Sequence, residues 1–104
     1  MYIEDAVSAY LALASKVTDS SVRGQAFNFG SNRPISVIQL FDMIAKLCGK
    51  SKLKPRIFDV AKNEIDCQYL ASGKARKILN WAPKYSIEEG LKLTIGWYRD
   101  YLNP

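Results

Sequence analysis

The chain has 104 residues, the length of a single domain, with 48% hydrophobic and 24% charged residues and a net charge of +5. That balance excludes a disordered chain, and no apolar run approaches the roughly 20 residues of a membrane span. There is no histidine, and Cys48 and Cys67 are the only cysteines, which excludes a zinc site and a disulfide framework.

Both cysteines read as small buried apolar residues. Residues 1–17 lack the basic start of a signal peptide and contain Glu4 and Asp5, so a cytoplasmic setting is expected. Without histidine, acid–base chemistry would fall to carboxylates, Tyr or Lys. The positive charge permits phosphate binding but is also what an ordinary basic helical face produces.

Residues 2–17 read as a helix, with Ile3, Val7, Tyr10, Ala14 and Val17 on one apolar face. Glu4 and Asp5 stand in its first turn, where carboxylates favour the dipole, and Lys16 in its last. A second apolar face, Ala6, Ala9 and Leu13, implies two neighbours. Gln25–Gly30 reads as a short strand with Phe27 and Phe29 on one side, followed by a turn at Ser31–Pro34.

The next helix carries the strongest start signal. Ser36 and Gln39 form a capping box, and Ile35 can staple to Leu40. Val37, Leu40, Phe41, Ile44 and Leu47 make its stripe, and Gly49 its left-handed stop. Lys50, Lys52, Lys54 and Arg56 then alternate with other residues, and Lys54–Val60 reads as a strand. Those cations suit a phosphate-facing edge, but lysines also guard an edge strand against aggregation, and that plainer reading is preferred.

Ile65, Cys67 and Tyr69 alternate with Asp66, Gln68 and Leu70, as in a half-buried strand. Ser72 can cap a short helix with Ala75, Ile78 and Leu79 inward and Lys74, Arg76 and Lys77 outward. Asn80 suits its left-handed end, before Trp81-Ala82-Pro83. Trp81 is expected to plug the seam between the last two helices rather than to stack on a base. Ser86 and Glu89 form a second capping box, opening a helix whose stripe is Ile87, Leu91, Ile95, Tyr98 and Leu102. Glu88 and Lys92 make an i,i+4 pair. The predicted class is α+β, helix-dominated, with a small sheet.

No glycine-rich phosphate loop, Gly-x-Gly-x-x-Gly or Ser/His/Asp set occurs in these residues. Glu64 and Asp66, two apart on an expected strand, would point to opposite faces and make a poor acid–base pair. Glu64 could accept hydrogen bonds from sugar hydroxyls, although a solvated loop carboxylate is the plainer reading.

Four segments, in order, resemble the C-terminal part of the extended short-chain dehydrogenases/reductases, the nucleotide-sugar epimerases and 4,6-dehydratases. Tyr2-Ile3-Glu4-Asp5 with its alanine-rich helix resembles the family's "Arg-Asp-aromatic-x-Tyr-Val-Glu/Asp-Asp". Ala26-Phe27-Asn28-Phe29-Gly30 is similar to its "Tyr/Phe-Asn-x-Gly" strand. Ser72-Gly73-Lys74-Ala75 through Leu79-Asn80-Trp81-Ala82-Pro83 resembles "Asp-x-x-Lys-Ala…Leu-Gly-Trp-x-Pro". Ser86–Leu91 with Thr94–Tyr98 resembles "Ser-Leu-Glu-Glu-Gly-Leu…Thr-Ile-x-Trp-Tyr".

Within the family, Asn63-Glu64-Ile65-Asp66 is most like the GDP-mannose and CDP-glucose 4,6-dehydratases, with Glu64 ten residues before Lys74. The resemblance implies a Rossmann-type enzyme whose C-terminal, substrate-binding segment is represented here. It implies that Glu64, with Asn63 and Arg56 as weaker candidates, contacts the sugar nucleotide. It also implies NAD(P) for the full-length enzyme, bound on an N-terminal Gly-x-x-Gly-x-x-Gly domain that residues 1–104 lack, as they lack the catalytic Tyr-x-x-x-Lys.

The pattern departs at Ala61, where the GDP-mannose enzymes place an arginine, and at Ala71, where the family has aspartate. This chain is therefore expected to bind a nucleotide-sugar and to meet a separate Rossmann domain, without catalytic, cofactor-binding or metal residues of its own. Two alternatives stand beside this. One is a free-standing basic module binding nucleotide or nucleic acid through Lys50, Lys52, Lys54, Arg56, Lys74, Arg76 and Lys77, nucleic acid being the less favoured partner. The other is an interaction fragment that forms a homodimer through the second face of the first helix and the Phe27/Phe29 strand.

Overall fold

A computed structural model describes residues 1–58, 60, 65 and 67–103. Among the described residues four helices follow one another: α1 (Ile3–Ala14), α2 (Val37–Leu47), α3 (Gly73–Leu79) and α4 (Ile87–Leu102). Both capping boxes are closed in both directions. Ser36 Oγ accepts the Gln39 N–H and Gln39 Oε1 accepts the Ser36 N–H, and Ser86 and Glu89 repeat the exchange at α4.

The predicted stops hold as well. Gly49 has φ of 69°, and the amides of Gly49 and Lys50 turn back onto the carbonyls of Lys46 and Ala45 in a Schellman closure. Asn80 ends α3 in the left-handed region at φ 54°.

The α+β expectation is corrected: among the described residues there is no strand and no sheet, only helix, turn and irregular chain. The alternation at 25–30 is real, with Phe27 and Phe29 half-buried and Ala26 and Asn28 exposed. Alternation reports which side is covered, whereas a strand also needs a neighbour to complete its ladder. Here side chains take part of that role: the Ala26 carbonyl accepts from Lys74 Nζ and the Gly30 carbonyl from Ser72 Oγ.

The other two expected strands are exposed wherever described. Ile57 and Phe58 lie open in one, and Ile65, Cys67, Tyr69 and Leu70 in the other. The reading of both cysteines as buried fails with them: Cys48 is half-buried and Cys67 exposed.

The buried centre is small. Ala9, Val22, Ala75, Leu79 and Trp81 form one cluster, backed by Ala12, Leu13, Phe27, Phe29 and Ile78. It turns the expectation for α1 round. The inward face is Asp5, Ala9, Ala12 and Leu13, while Ile3, Val7 and Tyr10 face out, Tyr10 at 75% exposure. Positions 5 and 7 are about 200° apart on a helix, so these are nearly opposite faces. The expectation that Phe27 and Phe29 lie open is likewise corrected.

On α2, Leu40, Phe41 and Leu47 are half-buried, but Val37 is 84% exposed. On α4, Leu91 and Ile95 are half-buried while Tyr98 and Leu102 are exposed. The chain extends 52 × 42 × 18 Å, with a radius of gyration of 17.3 Å against about 13 Å for a compact chain of this length. The fold is a flat slab that leaves much of its apolar surface uncovered.

Candidate functional site

Long-range polar bonds align the elements on which the site is built. Asp5, 1% exposed, accepts the Lys84 N–H at 2.7 Å and the Tyr85 N–H at 3.4 Å. The first turn of α1 is thereby tied to the connection between α3 and α4. Ser8 Oγ accepts Trp81 Nε1–H at 2.8 Å, and Phe29 meets the Trp81 ring edge-on with centroids 5.0 Å apart. Trp81 therefore closes a seam involving α1 and the 25–30 segment, not the seam between the last two helices.

Ser72, also 1% exposed, makes no helix cap. Its Oγ lies 2.8 Å from the Gly30 carbonyl and 3.0 Å from Asn32 Oδ1, so its one hydroxyl proton is shared between two acceptors. Its N–H donates to Asn32 Oδ1 at 2.7 Å. Asn32 itself is left-handed at φ 56°, and this bond fixes the turn around it. Lys16, beyond the end of α1, donates to the Ile78 carbonyl at 2.8 Å, satisfying the C-terminal end of α3.

Between the 31–35 turn, α2 and the connection to α4 lies an open cleft of about 900 Å³. Its cations come from three separate stretches: Arg33 from the turn, Arg76 from α3 and Lys84 from the connection. Pro34, Ile35, Met43 and Ile87 give it apolar walls, and Asp42 is its carboxylate. Among the described residues none of these four charged groups forms an ion pair. A smaller hollow of about 240 Å³ adjoins it, lined by Tyr2, Asp5 and Gly90 among others. A Cβ on Gly90 would stand 2.9 Å from that of Tyr2, so glycine is what lets the start of α1 approach α4.

Tyr85 sits where both hollows meet. Its hydroxyl donates to Glu4, and that bond pushes its pKa up to about 12. A phenol held so firmly protonated is unsuited to proton transfer near neutral pH. Glu89 moves the other way, its carboxyl held below the usual range by the bonds from Ser86. No group of three potential metal ligands gathers among the described residues.

Of the sequence-derived site residues, Glu64 and Asn63 lie outside the described residues. Arg56 is exposed, its guanidinium 4.7 Å from the centroid of the Phe58 ring, and it does not line the cleft. Of the basic set, Lys74 is engaged by Gln25, the Ala26 carbonyl and the Phe27 ring. Arg76 alone of that set reaches the cleft. Sequence reasoning missed Arg33 and Lys84, and assigned Asp5 to a helix dipole. The signal available was the Ser-Asn-Arg-Pro turn, read as a turn only. No helix among the described residues is long and apolar enough to cross a membrane.

No family model matches the chain, and no solved structure matches it. Curated relatives do. A UDP-glucuronate 4-epimerase of Thermodesulfobacterium geofontis is 38% identical over 71 residues, 68% of this chain and 22% of that protein. A dTDP-D-glucose 4,6-dehydratase of Mus musculus is 30% identical over 95% of this chain and 28% of its own length. UDP-glucose 4-epimerase 4 of Oryza sativa is 26% identical over 93% of this chain and 26% of its own. The chain thus spans about a quarter of the length of the relatives it matches. It belongs to the extended short-chain dehydrogenase/reductase family of nucleotide-sugar epimerases and dehydratases, and corresponds to the C-terminal part of those enzymes.

Proposed function

We propose that this chain is the substrate-side portion of a nucleotide-sugar epimerase or 4,6-dehydratase, supplying sugar-nucleotide contacts and no complete active site. The observation that carries this is the coverage: 95% of the chain aligns with only 28% of a dTDP-D-glucose 4,6-dehydratase. Glu64 is the proposed contact to the ribose or sugar, from its register ten residues before Lys74, with Asn63 and Arg56 beside it. The residues present do not fit a seat for NAD(P). The 104 residues contain no glycine-rich dinucleotide fingerprint, and the cleft is lined by scattered cations rather than by a strand–loop–helix turn. No hydride or elimination step is assigned to any residue here. In this reading a separate Rossmann domain carries the cofactor and the chemistry.

The test is a calorimetric titration of the purified chain with UDP- and dTDP-sugars, alongside an assay for NAD-dependent turnover. Binding of a nucleotide-sugar, weakened about tenfold by Glu64→Gln, with no turnover, is the expected result. Turnover by the chain alone overturns the proposal, as does an affinity for nucleotide-sugars no greater than for the free sugars.

A second reading, self-association, is favoured by the outward face of α1, where Ile3, Val7, Tyr10 and Leu11 are all more than half exposed. Light scattering decides it: a dimer supports it and a clean monomer counts against it.

A further inference from the structure

We propose that the stretch from the end of α2 to residue 58 is a peripheral docking surface for an anionic lipid bilayer, its cations meeting acidic headgroups and its exposed aliphatic side chains entering the headgroup boundary. Such a contact lies on the bilayer and needs no spanning helix. The inference goes beyond the proposed function and does not rest on it.

Three observations carry it. The first is charge of one sign. Between Asp42 and Asp59 the sequence places Lys46, Lys50, Lys52, Lys54 and Arg56 and no carboxylate. Each of these cations is exposed. Arg99 of α4 joins them, its guanidinium 3.5 Å from the Leu47 carbonyl oxygen where α2 ends. Cations clustered in this way are drawn to the potential of an acidic leaflet. The reading of the lysines as guards has lost its object, because residues 50–58 contain no strand whose edge needs guarding.

The second is the apolar company of those charges. Leu53, Ile57, Phe58 and Val60 are each more than half exposed. Three of the four are aliphatic, and the Phe58 ring already has the Arg56 guanidinium 4.7 Å from its centroid. Aliphatic side chains beside cations suit the boundary between headgroups and acyl chains, whereas single-stranded nucleic acid is held by stacking on open aromatic faces. The stretch from Lys74 to Lys84 makes the contrast. It too is basic and free of carboxylates, but it buries Ala75, Leu79 and Trp81 in the core, and Lys74 is engaged by Gln25 and Ala26.

The third is placement. The stretch leaves a helix end closed by the Gly49 and Lys50 amides, and the Leu53 N–H donates to the Lys50 carbonyl at 2.9 Å in a turn. On α4, Ile95, Tyr98, Arg99 and Leu102 lie within about 100° of one another. Ile95 is half-buried, while Tyr98 and Leu102 are more than half exposed. The approach of Arg99 to Leu47 therefore brings an exposed tyrosine and leucine to the same end of α2, and a tyrosine suits the headgroup level. A surface rooted in a helix end, a turn and a second helix loses less freedom when it docks.

The experiment sediments the full 104-residue chain with sucrose-loaded vesicles of phosphatidylcholine alone, or with about one-third phosphatidylserine, at about 0.1 M salt. Pelleting with the acidic vesicles and not with the neutral ones is expected, fading at about 0.5 M salt. Lys50→Gln, Lys52→Gln and Lys54→Gln together should weaken it about tenfold or more. Arg76→Gln, Lys77→Gln and Lys84→Gln, the same change of charge on the other basic stretch, should leave it within about twofold. Leu53→Ser with Ile57→Ser should also weaken it about tenfold. All five of the 50–58 positions involved are exposed, so the circular dichroism of these variants should match the parent's. Equal behaviour with acidic and neutral vesicles overturns the proposal, as does equal loss from the control triple or indifference to the aliphatic change. A labelled oligothymidylate that binds more tightly than the vesicles and ignores the aliphatic change would assign the surface to nucleic acid and overturn it too. None of these outcomes bears on the nucleotide-sugar titration that tests the proposed function.

Discussion

Replacing Asp5 by alanine should be the most damaging single substitution of a polar residue on α1. The carboxylate is 1% exposed, so water cannot take its place, and it accepts two backbone amides 79 and 80 residues away in sequence. A hydrogen bond to a charged group contributes about 1.5–3 kcal/mol, and leaving its partner unsatisfied adds to the loss. The 3.4 Å bond to Tyr85 is long and counts for less than the 2.7 Å bond to Lys84. The expected loss is therefore about 2–3 kcal/mol, a large share of the roughly 5–15 kcal/mol typical of a whole domain. Asp5→Asn keeps one oxygen for Lys84 but turns an amide donor towards the Tyr85 N–H, so about half that loss is expected. Urea denaturation followed by far-UV circular dichroism measures both. Fluorescence of buried Trp81, read in a Trp97→Phe background, reports the same seam. A denaturation midpoint for Asp5→Ala equal to that of the parent, or Asp5→Asn more damaging than Asp5→Ala, would refute the reasoning.

Two glycines of α4 should respond to alanine with opposite signs. At Gly90 the new Cβ meets that of Tyr2 at 2.9 Å, and about 1–3 kcal/mol is lost as the helices move apart. At Gly96 nothing stands within 4 Å, and the helix gains about 0.5–1 kcal/mol, both visible in thermal melts. Ser72→Ala strands the Gly30 carbonyl and should cost about 1–2 kcal/mol in the same melts, with Ser72→Thr no substitute if the methyl is not accommodated in so buried a site. The Tyr85 pKa is raised to about 12 by its bond to Glu4. Its contribution to stability is therefore complete below about pH 10 and is lost as pH rises through about 12. Ultraviolet titration of tyrosinate should show one late-ionising group that disappears in Tyr85→Phe. The Glu89 carboxyl is held low by Ser86, so its contribution is present above the ordinary glutamate range and fades as acid is added through the lowered pKa. A Ser86→Ala variant should flatten that acid limb.

What could be read from the sequence was what is decided within a few residues. Both capping boxes, the Gly49 and Asn80 stops and the order of the helices are local events, each signalled by side chains three or four positions apart. The strands could not be read this way, because a ladder is a property of two segments and alternation of one. The face of α1 could not either. Both of its faces are apolar, and the choice fell to the one bearing Asp5, because only that face carries the acceptor for the amides of Lys84 and Tyr85. A carboxylate in a first turn is equally good local chemistry for a dipole, so nothing near Asp5 announced its long-range task. The cleft was hidden for the same reason. Arg33, Arg76 and Lys84 are spread over more than fifty positions, and only the folded turn and connection bring them to one hollow.

The long-range bonds also explain how so small a core holds a definite arrangement. Asp5 to Lys84, Ser8 to Trp81, Lys16 to Ile78 and Ser72 to Asn32 join segments 79, 73, 62 and 40 residues apart. Each fixes direction as well as contact, which apolar packing of five buried side chains could not do alone. A chain aligned in this way can leave Ile3, Val7 and Tyr10 on α1, and Tyr98 and Leu102 on α4, uncovered without losing its register. That is the economy expected of a segment whose apolar faces meet further protein, and in the proposed reading that protein is the cofactor-bearing remainder of its relatives. Association and nucleotide-sugar binding are then separate properties in that reading. A substitution such as Tyr10→Ser should alter association while leaving nucleotide-sugar binding unchanged, whereas Glu64→Gln should do the reverse. Light scattering and the nucleotide-sugar titration on the same two proteins measure both, and a loss of both properties in either variant would mean that one surface serves both.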